Sequence, residues 1–206
     1  MRPLILALLA AAVHSAEIAR RDVQVAVERG DGGFAYDLGT GLGTFSGDDA
    51  FDSIDTLRLG GRIAFAAAGS PLGVLAGADL TRSEAPIDGG GMDGYGGDVV
   101  AGATWAIAEG VSLDGEGFAG WQQVDFALDA LAAPLDGGGE LWRGGARLRL
   151  QWSPWRHWSI GIEGCWTSWQ ADIAADDGRS LDLVGSGLGA GLSLAWRPSA
   201  RPEGIE

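Results

Sequence analysis

Apolar and polar residues alternate with a period of two along most of the chain. Leu57, Leu59, Ile63 and Phe65 alternate with Thr56, Arg58 and Arg62. Val99, Ala101, Ala103, Trp105 and Ile107 alternate with Asp98, Gly102 and Thr104. Trp142, Ala146, Leu148, Leu150 and Trp152 alternate with Arg143, Arg147, Arg149 and Gln151. Such a rhythm belongs to strands with one apolar and one polar face. It predicts eight strands, at about 33–45, 55–67, 72–84, 94–107, 111–124, 139–152, 158–171 and 183–197. The gaps alternate in length. Ala68–Pro71, Ala108–Gly110 and Ser153–His157 are short, whereas 46–54, 85–93, 125–138 and 172–182 are long. A meander with short turns at one end and long loops at the other is the pattern of a transmembrane β-barrel.

Met1-Arg2-Pro3, the apolar run Leu4–Val13 and His14-Ser15-Ala16 have the layout of a secretory leader, placing a signal peptide at 1–16. Residues 17–32 are expected to form a periplasmic N-terminal arm, because a ninth strand would break the even count usual in bacterial barrels. The barrel domain then spans 33–197, followed by a short tail at 198–206.

Aromatic spacing bears on what surrounds the barrel. Tyr95 and Trp105 share a strand face ten residues apart, as do Trp142 and Trp152. At about 3.3 Å per residue and a tilt near 40°, that spacing rises roughly 25 Å, the height of an outer-membrane apolar band between its aromatic girdles. Phe34, Phe65, Trp105, Trp152, Trp158 and Trp196 fall at the expected periplasmic girdle. Phe45, Tyr95, Trp121, Trp142 and Trp166 fall toward the outer one. The opposite face carries Arg58, Arg62, Arg143, Arg147 and Arg149 against Asp37, Asp79, Asp98, Asp114, Glu116 and Glu163. In a narrow barrel these side chains would fill the lumen and have to pair there.

Composition sharpens this picture. The chain has 14 basic residues, all Arg, and its planar fork suits paired carboxylates better than Lys would. The 36 Gly argue against a helical fold and fit strands that bend sharply beside long side chains. With 28 acids the net charge is -14, which argues against nucleic acid as a partner. One Cys, Cys165, excludes a disulfide framework and is expected to be an inert, inward-pointing thiol.

The leader, the eight strands, hairpins such as Tyr95–Trp121 and the passage Leu148–Ile160 with its Pro154 turn resemble the small OmpA/OmpX-type outer-membrane barrels. The resemblance covers about 33–197 and is one of architecture. It implies insertion by an assembly machine that reads the last strand, and Gly191–Trp196 has the alternating, aromatic-ending form. The tail is too short for a peptidoglycan-binding domain, so that role is not implied.

Candidate chemistry is sparse. His157-Trp158-Ser159 invites comparison with lipid A deacylase barrels, but the expected topology puts His157 in a periplasmic turn, away from the outer leaflet. The long loops carry Asp48, Asp49, Asp52, Glu84, Asp88, Asp93, Asp125, Asp129, Asp136, Asp172, Asp176, Asp177 and Asp182. They form either a solvated rim or a loose divalent-cation surface near lipopolysaccharide phosphates. Gly89–Gly91 and Gly137–Gly139 are expected in loops, with no strand-to-helix setting for a phosphate loop. No catalytic, metal or cofactor site is expected.

The sequence therefore points to an all-β, eight-stranded antiparallel up-and-down barrel, integral to a Gram-negative outer membrane, with both termini periplasmic. Its expected surroundings are outer-membrane lipid, lipopolysaccharide and, during insertion, the assembly machinery; it is expected to be monomeric. A structural or surface-interaction role leads. A narrow pore, a lipid A-modifying enzyme and a soluble lipocalin-like binder are the alternatives.

Overall fold

The computed structural model describes residues 16–129 and 134–198. The expected leader, except Ala16, and the tail beyond Pro198 lie outside the described residues. The strands are β1 (Ala16–Thr40), β2 (Gly43–Ala67), β3 (Leu72–Ile87), β4 (Gly90–Ala108), β5 (Val111–Leu128), β6 (Leu135–Trp152), β7 (Trp158–Ala175) and β8 (Ser180–Trp196). Each pairs antiparallel with its neighbours in sequence, and β1 pairs with β8 to close the ring. Tight turns such as Asp88-Gly89 and Glu109-Gly110 set Gly at positive φ, 78° and 71°, where other residues are strained.

Two features of the sequence reading are corrected. Residues 17–32 are not a separate arm. They form the lower half of β1, with Val23–Val27 paired to Gly61–Leu57 on one side and Trp196–Leu192 on the other. The strand expected at 33–45 is instead split by a turn at Gly41-Leu42. The count stays even because the arm supplies the first strand. The second correction concerns the long loops. Most of 46–54, 85–93, 125–138 and 172–182 continues the strands, and Gly90-Gly91 and Gly137–Gly139 lie in β4 and β6.

The apolar rhythm changes phase along the strands. In the part nearer the termini, the large apolar side chains of Leu57–Phe65, Leu72–Leu80, Val99–Trp105, Trp142–Trp152, Trp158–Trp166 and Leu188–Trp196 face outward, except Leu75 and Val100, which pack with Phe118 inside. The side chains between them point in, among them Arg58, Arg62, Asp79, Asp98, Arg149 and Glu163. Farther from the termini the polarity inverts. There Phe34, Phe51, Ile87, Met92, Phe126, Leu135, Leu141, Trp169, Ile173 and Leu183 form one buried cluster inside the ring. The outer positions at that level are exposed and carry many carboxylates, among them Asp93, Asp125, Glu140, Asp172 and Asp182, beside a few apolar residues such as Val184. One barrel thus has a belt with an apolar outside and charged inside, and an extension with the reverse. Phe34 and Asp37 fall in the extension. Phe34 is buried inside, and Asp37 is exposed outside, so neither holds its expected place. The apolar residues expected on the outward face beside Phe34, Tyr36 and Leu38, pack against the inner cluster too.

Candidate functional site

The belt interior is filled by a continuous set of ion pairs. Nearest the termini, Arg20 of β1 grips Asp114 of β5 with two bonds, 3.1 and 2.6 Å. Its Nε lies 2.8 Å from Asp22, which Arg197 also approaches at 3.2 Å. In the middle, Arg62 donates to both oxygens of Asp79 at 2.7 and 2.8 Å and to both oxygens of Glu116 at 3.0 and 3.1 Å. Arg149 joins Glu116, at 3.2 Å, to Glu163, at 3.0 Å. Arg58 also bonds Glu163 and lies 3.5 Å from Asp79 and 3.6 Å from Glu28. Arg147 reaches Glu116 at 3.1 Å and stacks 4.7 Å above the Phe118 ring, a cation–π contact. Highest of all, Arg143 forks onto Asp98 at 3.0 and 2.7 Å.

The strands make this possible by supplying both charges and gaps. Inward residues two apart, such as Arg147 and Arg149 or Asp114 and Glu116, stack along one strand. Inward glycines leave room between them. A Cβ added at Gly60 would fall on the Asp79 carboxylate, and one at Gly120 on Asp98. Of the charged residues expected inside, Arg58, Arg62, Arg143, Arg147, Arg149, Asp79, Asp98, Asp114, Glu116 and Glu163 are brought together here. Asp37 is not. The sequence reading missed Arg20, Asp22 and Glu28, which sit on the strand taken for an arm. The alternation of Asp22, Gln24 and Glu28 with Val23, Val25 and Val27 was the signal.

Above the charges comes an uncharged polar layer. Gln122 donates to Thr81 and Ser83 at 2.9 and 3.1 Å, and Thr56 meets Ser83 at 3.2 Å. A cavity of about 60 Å³ follows, between Glu28, Gln122 and Arg143 on one side and Met92, Leu141 and Trp169 on the other. The apolar cluster then closes the interior, with Phe34 and Phe51 rings 4.6 Å apart and Trp169 5.7 Å from Phe51.

The expected girdle residues other than Phe34 face outward. Phe65, Trp105, Trp152, Trp158 and Trp196 line the border nearer the termini, and Phe45, Tyr95, Trp142 and Trp166 are exposed toward the other end. Trp121 is half-buried directly opposite Trp142. Phe45 lies beyond the belt, near the β1–β2 turn.

Beyond the belt, the outer face carries two rows of directly opposed carboxylates. Asp55, Glu84, Asp93 and Asp125 are successive partners across β2–β5. Glu140, Asp172, Asp182 and Asp37 are successive partners across β6, β7, β8 and β1. Among the described residues no group of His, Cys, Asp or Glu is arranged to hold a metal ion.

The residues considered for catalysis do not meet. His157 Nδ1 lies 3.1 Å from the Arg197 carbonyl, while the fully buried Ser159 hydroxyl bonds Ser153 at 2.9 Å. Cys165 is buried and donates to Glu28 at 2.8 Å.

Fold and site together define a closed eight-stranded barrel with a lipid-compatible belt. Every strand of the belt is paired with a neighbour on both sides, as a hydrocarbon environment demands. No protein-family model matches the chain, and no curated protein does. Among solved structures, the chain is similar to the outer membrane protease OmpT from Escherichia coli, with 7% identity over 89% of this chain and 98% of that one and a TM-score of 0.47. It is also similar to Neisserial surface protein A (11% identity, 82% and 95% covered, TM-score 0.41). The N-terminal β-barrel domain of Pseudomonas aeruginosa OprF is a third (14% identity, 81% and 98% covered, TM-score 0.30).

Proposed function

We propose that the protein is an integral outer-membrane barrel with both termini periplasmic, a plugged interior and a structural or surface-interaction role. The observation that carries this reading is the inversion of polarity along a single closed ring. A belt with Trp, Leu, Val and Ile outside and paired charges inside suits a bilayer. An extension with the opposite polarity suits water. The extension is then the part presented outside the cell, and its acidic outer face is what lipopolysaccharide and any partner would meet.

The ion-pair layer and the apolar cluster both oppose conduction, since an eight-stranded lumen is just wide enough for side chains to fill it. The separation of His157 from Ser159 speaks against the acyl hydrolase alternative, because a Ser nucleophile needs an adjacent base. The leading role is thus non-catalytic. The barrel is monomeric, needs no cofactor, and reaches its membrane through the assembly machinery.

Fractionation with heat-modifiable gel mobility tests the reading. A band that stays with urea-washed outer membranes and shifts on boiling supports it. A soluble periplasmic protein with no shift contradicts it. Discrete current steps in planar bilayers would favour the pore instead, and loss of lipid A deacylation on Ser159→Ala would favour the enzyme.

A further inference from the structure

The cavity of about 60 Å³ inside the ring lies where the polar layer meets the apolar cluster. At about 10–15 Å³ for each water-sized group, it has room for roughly four to six of them. Its space comes from glycine. Gly187 and Gly189 of β8 line it, and a Cβ at Gly189 would come within 3.0 Å of Cys165 Sγ and 3.1 Å of Glu28 Oε1.

The lining has two characters. Ala85, Met92 and Leu141 are apolar and buried, whereas Glu28 and Arg143 bring opposite charges. Two polar groups of the lining have no hydrogen-bond partner among the described residues. One is the indole N–H of Trp169, a residue only 6% exposed, and the other is Glu28 Oε2. The second Glu28 oxygen accepts from Cys165 at 2.8 Å, while Arg58 and Arg147 approach Oε2 only to 3.6 and 3.9 Å. A buried donor or acceptor without a partner costs stability.

An occupant that completes this lining needs an acceptor for Trp169, a donor for Glu28 and carbon for the apolar wall. An alkylammonium ion carries donors only, and it would meet Arg143. A carboxylate carries acceptors only, and it would meet Glu28. A hydroxyl both donates and accepts without charge. Water does so too, but it leaves Met92 and Leu141 without an apolar neighbour, and apolar cavity surface stays dry.

We propose that the cavity binds one small neutral hydroxylated molecule, a short-chain diol of about five heavy atoms. Its hydroxyls answer Trp169 and Glu28, and its carbons lie against Met92 and Leu141. The site lies inside the ring whatever surrounds the barrel, so this inference does not rest on the membrane reading.

The test uses the full protein in lipid nanodiscs with carbon-13 methionine methyls, so that Met92 reports the cavity by magnetic resonance. The ligands tried are trimethylene glycol, propylammonium, propionate and the much longer octanediol. The expected result is a saturable Met92 shift with trimethylene glycol at a Kd of roughly 1 mM, within reach of a ligand that small. The two ions should bind about tenfold more weakly or not at all, and octanediol should leave Met92 unshifted. Ala85→Leu pushes carbon into the cavity and should abolish the shift. Trp169→Phe keeps an aromatic ring, removes the N–H and should weaken binding about tenfold, the size of one net hydrogen bond. No saturable shift would mean that water alone fills the cavity, and this overturns the proposal. Equal binding of either ion, a matching shift with octanediol, or unchanged binding in either variant overturns it too. Should Ala85→Leu lose its heat-modifiable mobility, Trp169→Phe decides: weaker binding supports the diol site and unchanged binding overturns it.

Discussion

Arg62 of β2 and Glu116 of β5 meet across the barrel, Nε to Oε1 at 3.0 Å, although their strands are not neighbours in the ring. The same guanidinium holds Asp79 of β3. One Arg thus ties three strands together in a region that excludes water. Removing one partner of a buried pair leaves an uncompensated charge and costs about 3–5 kcal/mol. Glu116→Gln should destabilise the barrel by that order in urea unfolding from lipid vesicles. A change below about 1 kcal/mol, the size of an exposed pair, would mean that water reaches the network.

The belt and the extension should answer differently to the same substitution. Leu148, midway between the girdle residues Trp142 and Trp152, and Ala174 both face outward, the first within the belt and the second beyond it. Leu148→Arg should cost about 2–4 kcal/mol, as a cation near the bilayer midplane does. Ala174→Arg should change stability by less than about 0.5 kcal/mol, as surface substitutions do. Equal costs would remove the boundary between the two regions.

Trp169 lies inside the extension against Phe34 and Phe51. If the cluster is a true core, Trp169→Ala should cost about 3–5 kcal/mol. It should do so although the residue lies outside the lipid belt. Unfolding measurements on the Ala variant check this, and a near-neutral result would show that the extension is loosely packed.

The opposed carboxylates on the outside give a prediction of opposite sign. Asp182 faces Asp172 on one side and Asp37 on the other. Relieving that repulsion by Asp182→Asn should stabilise the protein by about 0.2–1 kcal/mol at low ionic strength. The gain should shrink as salt screens the row. A loss of stability would mean that Asp182 makes a favourable interaction instead.

The belt was legible in the sequence because one rhythm runs through it: Trp142 to Trp152 and Leu188 to Trp196 keep a single phase. The extension was not, because its rhythm is displaced by one residue. In β5, Leu113, Ala119 and Trp121 are odd-numbered and face out, whereas Val124 and Phe126 are even-numbered and face in. Where the phases meet, the alternation breaks and looks like a loop. β1 itself keeps one alternation, with Val23, Val25 and Val27 out and Phe34 in, so Phe34 and Asp37 were assigned to the wrong faces because the apolar side of the strand changes, while the extra residue of the bulge opposite Gly30–Gly32 lies in β2. The inward set of charges follows from alternation alone. Which Arg meets which carboxylate does not, because Arg62–Glu116 and Arg20–Asp114 join strands that only barrel closure brings face to face.

The depth profile of spin labels tests the inverted barrel most directly. In a Cys165→Ser background, single nitroxides at Ala103, Ala146 and Leu192 report the belt, and at Ala174 and Val184 the extension, all outward-facing. Reconstituted in lipid, the first three should be accessible to dissolved oxygen and shielded from a water-soluble nickel complex. The other two should show the reverse. Nickel access at all five positions would contradict the account and indicate a barrel that stands wholly in water.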